Sequence, residues 1–129
     1  MEINILYEDN HLLVAVKPPE VPVQADSSGA DDFLGMLKAY IKGKYNKPGN
    51  VYLGLVHRLD RNAGGVMVFA KTSKAASRLS DQIRRRVTAK TYLAVVHGCP
   101  ENRQEHLVNY LLKDRARNRV SVVEPGTPG

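Results

Sequence analysis

A chain of 129 residues with 43% hydrophobic side chains has the size and composition of one modest globular domain. It contains no apolar run long enough to cross a bilayer and no basic, small-residue leader at its start, which excludes a helical membrane protein and points to a cytoplasmic location. The formal net charge of +6 is uneven: residues 1–50 carry five basic and seven acidic side chains and residues 51–129 carry fourteen and six, so the second half is either an anion-facing surface, with nucleic acid the obvious polyanion, or a solvated basic face.

In chain order, Ile3 to Glu8 and His11 to Lys17 are aliphatic, β-branched runs separated by Asp9-Asn10, the pattern of a hairpin with a tight polar turn. Pro18, Pro19 and Pro22 interrupt ladder pairing, so Lys17 to Ser28 is expected to be an extended, irregular connection. Asp31 or Asp32 can cap a helix that places Phe33, Leu34, Leu37, Tyr40 and Ile41 on one side and stops at Asn46-Lys47-Pro48-Gly49. Val51 to Val56 reads as a strand, His57 to Gly65 as a loop and Val66 to Ala70 as another strand. Thr72 or Ser73 then caps a helix with Ala76, Leu79, Ile83 and Val87 facing inward and Arg84, Arg85 and Arg86 near its C-terminus. Further strands are expected at Thr91 to His97, Leu107 to Leu112 and Val120 to Val123. The fold class is mixed α/β (α+β), a largely antiparallel sheet with packed helices. A single cysteine, Cys99, and the histidines His11, His57, His97 and His106 lack metal-ligand spacing, so no metal is expected.

The segment from His57 to Gly65 carries more polar groups than a connection between two apolar strands needs. Continued extension from Val56 would send Arg58 and Asp60 to one face and His57 and Leu59 to the other. Arg58 and Arg61 would favour an ionised Asp60, suited to act as nucleophile or proton acceptor. The residues alone favour an ordinary arginine pair that holds the loop over a catalytic carboxylate.

HRLD at 57–60, followed by Gly64-Gly65, an apolar strand, Ala70-Lys71 and then KTYLAVVHG at 90–98, resembles the signature region of RluA-type pseudouridine synthases. The opening hairpin and proline loop, ILYEDNHLLVAVKPPEVPVQ, resemble the start of the same catalytic domain. The resemblance implies that Asp60 is the catalytic carboxylate and that Tyr92, in the family pattern KxYxAxVxG, is the active-site tyrosine. It departs from the usual HRLDxxTSG at two positions, where Ala63 and Gly64 stand in place of Thr and Ser and two supporting hydroxyls are missing. His57, Gly64 and Gly65 are then expected to support the site from within the loop.

Such an enzyme isomerises uridine to pseudouridine in structured RNA, ribosomal or transfer RNA, and needs no cofactor, since the reaction breaks and remakes one base–sugar bond without net redox change. Asp60 would either attack the anomeric carbon or remove a neighbouring sugar proton. Tyr92 would stack on the base. Arg58 would fill the gap left when the nucleotide leaves its stack, or pair with Asp60 when RNA is absent. Arg61, Arg84, Arg85 and Arg86, with Lys113, Arg115, Arg117 and Arg119, are candidates for backbone contact, and Lys71 either meets phosphate or starts the second helix.

The family's later motif, Gly-Arg-x-His-Gln-Ile-Arg, is absent. Residues 1–129 are therefore expected to be the N-terminal part of a catalytic domain, unfinished at the C-terminus and without a separate N-terminal RNA-binding domain. Two other readings follow. One is a non-catalytic RNA-binding fragment; the other is a remnant that self-associates through its unfinished sheet edge.

Overall fold

In the computed structural model, which describes residues 3–25, 29 and 31–128, Asp9 folds the chain back on itself. Its Oδ1 accepts from the amides of His11 and Leu12, both at 2.7 Å, and these bonds hold the carboxyl below its ordinary range. The turn joins β1 (Asn4–Glu8) to β2 (Leu12–Lys17), antiparallel and with a register shift between Ile5 and Tyr7.

The chain divides into two compact units, Met1–Thr91 and Tyr92–Gly129. In the first, β3 (Gly54–Leu55) and β4 (Gly65–Ala70) complete a four-stranded antiparallel sheet of order β1-β2-β4-β3. Leu13 and Ala15 of β2 lie opposite Phe69 and Met67 of β4, and all four are buried, as strand alternation demands. The helix α1 (Phe33–Lys44) adds Phe33, Leu37 and Ile41, one side of successive turns, and Val21 and Val23 of the proline loop together with Leu53 complete this core. The rings of Phe33 and Phe69 meet edge to face at 5.9 Å.

The start of α1 is tied down. Asp32 Oδ1 accepts from Gly35 N at 2.9 Å, and the amides of Phe33 and Leu34 donate to Pro22 O and Val23 O. The irregular loop thereby becomes part of the helix N-terminus; residues 26–28 of the expected connection lie outside the described residues. α1 ends at Lys44, two residues ahead of the expected stop, because Asn46 adopts a left-handed φ of 46° and the Lys47 amide turns back to Lys42 O.

Other boundaries also differ from the sequence reading. β3 occupies only two of the six residues expected from Val51 to Val56. Its ladder stops because the next amide of β4, Val68 N, donates to the imidazole of His57 rather than to a strand carbonyl. The second helix, α2 (Ser73–Arg84), is capped by Thr72 Oγ1 and buries Ala75. Ala76, Leu79 and Ile83 are half-buried, but Val87 is exposed: Arg86 takes a positive φ of 56° and turns the chain out of the helix before Val87 can face inward.

The second unit is a hairpin, β5 (Tyr110–Asp114) with β6 (Arg119–Val123). β5 starts three residues later than expected because its turn sets the register, with Asp114 Oδ1 accepting from Arg117 N and Asn118 left-handed at φ 49°. Thr91 to His97, expected as a strand, has no ladder partner among the described residues, and the side chains of Leu93 and Val95 are fully exposed. Alternating residues build a strand only where a neighbouring backbone takes up the hydrogen bonds.

Candidate active site

The loop from His57 to Gly64 leaves the edge strand β3 and re-enters the sheet at β4, so both of its ends are held by the same sheet. Its side chains alternate. His57 and Leu59 turn inward, where Leu59 packs on the core, and Arg58 and Asp60 are exposed on the other side. A turn follows, closed by the Ala63 amide donating to Asp60 O at 3.1 Å. Gly65 then adopts φ +149°, a conformation that side chains rarely take.

His57 Nε2 accepts from Val68 N at 3.1 Å, which requires an unprotonated Nε2. Burial, helped by the charge of Lys90, holds this imidazole below its ordinary value. The folded state therefore binds fewer protons here than the unfolded chain. The contribution of His57 to stability is complete above 6.5, the ordinary histidine value, and is lost as pH falls below it. The urea midpoint should be lower at pH 5 than at pH 7.5 by the equivalent of at most about 1 kcal/mol, one part-buried hydrogen bond. His57→Gln, which keeps an acceptor but does not titrate, should remove that part of the slope; an unchanged slope would refute the assignment.

Asp60 makes no ion pair among the described residues, so the arginine pair weighed from the sequence is not what holds this loop. The holding group is Lys17, which the sequence reading passed over. Its side chain has no exposed surface, and Nζ donates to the carbonyls of Pro18 (2.9 Å), Val21 (2.7 Å) and Arg61 (3.0 Å). Arg61 adds a second tie to the proline loop through Nε and Glu20 O at 3.2 Å. The signal for Lys17 was present in the alternation of β2, which puts it on the buried side with Leu13 and Ala15.

Other candidates lie elsewhere. Lys71 follows the far end of β4, with Nζ on Glu8 Oε1 (2.7 Å) and Asp9 O (2.6 Å), and its side chain is 10% exposed. Arg84 and Arg85, at the end of α2, both reach Asp81, at 2.6 and 3.0 Å, and remain largely exposed. Arg86 is exposed just beyond them. Tyr92 is the first residue of the second unit, 65% exposed and outside any strand. No group of three or more metal-ligating side chains occurs among the described residues.

Compared with known protein families, residues 11–127 match the model of the family described as RNA pseudouridylate synthase. The chain belongs to that family. Among its fellow members, Ribosomal large subunit pseudouridine synthase C of Buchnera aphidicola subsp. Baizongia pistaciae is 36% identical over 93% of this chain and 36% of its own length. The protein of the same name from Escherichia coli (strain K12) is 34% identical over 97% of the chain and 37% of its own length. The chain thus spans about a third of the length of the curated relatives it matches. A solved structure, Human RNA Pseudouridylate Synthase Domain Containing 4, superposes with a TM-score of 0.55 at 30% identity, covering 65% of this chain and 30% of that one. These matches agree with the mixed α/β, antiparallel architecture. No helix among the described residues is long and apolar enough to cross a membrane.

Proposed function

We propose that this protein isomerises uridine to pseudouridine in structured RNA, with large-subunit ribosomal RNA as the first substrate to test, as the names of its relatives suggest. The observation that carries the reading is the HRLD loop: an exposed carboxylate, Asp60, on a short segment anchored at both ends in a family whose members catalyse this reaction. The glycosidic bond to the base nitrogen breaks, the base turns, and a carbon–carbon bond forms to the same sugar carbon; the base carbon then loses its proton and the freed nitrogen gains one, so the product is an isomer. Asp60 serves this sequence as the nucleophile at the anomeric carbon or as the base for an adjacent sugar proton. Arg58, on the same exposed side of the loop, enters the space left by the extruded nucleotide. Tyr92 supplies a ring for stacking on the base.

Arg84, Arg85 and Arg86 serve RNA backbone contact, since exposed pairs such as those to Asp81 are weak and readily exchanged for phosphate. Lys71 is better placed as a structural cation, being enclosed by Glu8 and Asp9. RNA affinity should therefore fall on the order of tenfold or more between 50 and 200 mM salt. Reversing the charges of Arg84 to Arg86 should lower both the affinity and the slope. A flat salt series in a filter-binding titration would remove this surface from the RNA site.

The function itself is tested by mapping pseudouridines in cellular RNA with and without the gene. Loss of one or more sites is the expected result, and an unchanged map overturns the proposal.

A further inference from the structure

Dividing the charge at residue 50 conceals a second basic surface. Residues 1–32 hold seven acidic side chains and one basic, whereas residues 33–50 hold four lysines and no acid. Those lysines belong to α1 and the turn after it. Lys42, Lys44 and Lys47 are exposed, and Lys38 lies one turn before Lys42 on the same side of the helix. Cations are favoured at a helix C-terminus, which accounts in part for Lys42 and Lys44. It does not account for how the ammonium groups are gathered.

Tyr45 gathers them. Its hydroxyl donates to Glu8 Oε1 at 2.7 Å, which fixes the ring, and the Nζ atoms of Lys71, Lys44 and Lys47 stand 4.9, 5.5 and 5.9 Å from the ring centroid. Three ammonium groups thus share one aromatic ring and one carboxylate, that of Glu8. Asp9, the next acid, turns Oδ1 to the amides of His11 and Leu12 and accepts from the Tyr7 hydroxyl at Oδ2. Among the described residues no carboxylate lies within ion-pair distance of Lys42 or Lys47. Like charges held together in this way repel, and an anion from outside relieves the repulsion. Lys71 is enclosed, so the groups open to such an anion are Lys42, Lys44 and Lys47, with Lys44 45% exposed.

The patch lies at the end of α1 remote from Asp60. At the helix start, the amides of Phe33 and Leu34 donate to Pro22 O and Val23 O of the proline loop, and the same loop receives Arg61 Nε at Glu20 O. The 12 residues of α1 carry the chain about 18 Å from that end, at a rise of about 1.5 Å per residue. A duplex covers such a distance in about five base pairs. We propose that Lys42, Lys44 and Lys47, gathered around Tyr45, form a second contact for RNA, gripping phosphates of the substrate several nucleotides away from the uridine at Asp60. The proposal rests on the reading of this protein as an RNA-modifying enzyme, and it adds a surface distinct from the HRLD loop and from the arginines that end α2. Phosphate contacts of this kind fix register and orientation without reading a base.

The test uses the full chain and large-subunit ribosomal RNA from cells lacking the gene. Lysine acetylation with and without that RNA, read by mass spectrometry, should show Lys42, Lys44 and Lys47 protected by about threefold or more. Lys42→Gln combined with Lys47→Gln removes two charges that no carboxylate partners. At about 0.1 M salt its RNA affinity should fall on the order of tenfold, and the slope of log affinity against log salt should become shallower by about 2. Unprotected lysines, or a folded double variant with the affinity and slope of the parent, overturn the proposal. Should the variant fail to fold, the acetylation pattern of the parent decides. Stronger protection by polyglutamate than by RNA also overturns it, in favour of an acidic protein partner. The two readings fail separately. An unchanged pseudouridine map defeats the isomerase and leaves the lysine pattern to report RNA contact, whereas a changed map with unprotected lysines defeats this surface alone.

Discussion

Asp60→Asn is expected to abolish uridine isomerisation, by roughly 10⁴-fold or more, while the fold and the affinity for RNA stay close to those of the parent. The substitution changes one atom of the side chain and removes its charge, so attack on the sugar carbon and abstraction of its neighbouring proton are both lost. Stability should hardly change. Asp60 is exposed, its side chain makes no ion pair among the described residues, and the bond that closes its turn runs from Ala63 N to the backbone oxygen of Asp60, which the substitution keeps. Tritium released from uridine labelled at the base carbon, followed in a single turnover, measures the loss directly. Substantial remaining turnover would mean that another group does the chemistry.

Glu8→Gln should be the most damaging single change to the first unit outside its hydrocarbon core, at about 3 kcal/mol. Glu8 ends β1, and its carboxylate joins three elements. Oε1 accepts from Lys71 Nζ and the Tyr45 hydroxyl, both at 2.7 Å, and Oε2 accepts from Lys44 Nζ at 2.8 Å and the Tyr40 hydroxyl at 3.1 Å. The side chain is 7% exposed. Burial alone would raise its pKa, but the hydrogen bonds from Lys44, Lys71, Tyr45 and Tyr40 outweigh it and hold the carboxyl at about 2. Glutamine turns one acceptor into a donor that faces a lysine and a tyrosine, and the side taken by the amide nitrogen loses both of its hydrogen bonds. Lys71 contributes more than Lys44, because Lys44 is nearly half exposed and water screens its charge.

The same carboxylate sets an acid limit. Its folded pKa lies below the ordinary value of 4.5, so the folded state holds fewer protons there. Its stabilisation is complete above about 4.5 and declines as pH falls toward 2. Urea unfolding at pH 7 and pH 3 should show the parent losing stability on the acid side and Glu8→Gln losing much less. A variant within about 0.5 kcal/mol of the parent at pH 7 would show that the cluster is a surface arrangement without energetic weight.

Much of the first unit was legible from local pattern. The Asp9-Asn10 turn, the alternation of Leu13 and Ala15, the Asp32 and Thr72 caps and the helical spacing of Phe33, Leu37 and Ile41 are all set by residues within a few positions of one another, and the structure forms them where the pattern places them. The HRLD loop was legible for the same reason: strand alternation carried past Val56 puts His57 and Leu59 inside and Arg58 and Asp60 outside. What holds that loop was not. Lys17 reaches the backbone of Arg61 across 44 positions of sequence, and Lys71 reaches Glu8 across 63, so a lysine's spacing from its neighbours says nothing about which carbonyl or carboxylate it will meet. The shortness of β3 likewise depended on an imidazole arriving at Val68 N, and the lack of a strand at Thr91 to His97 on the absence of a partner among the described residues. Period and capping are properties of a segment, whereas burial of a charge and completion of a ladder are properties of two segments brought together, and only the tertiary structure decides which two.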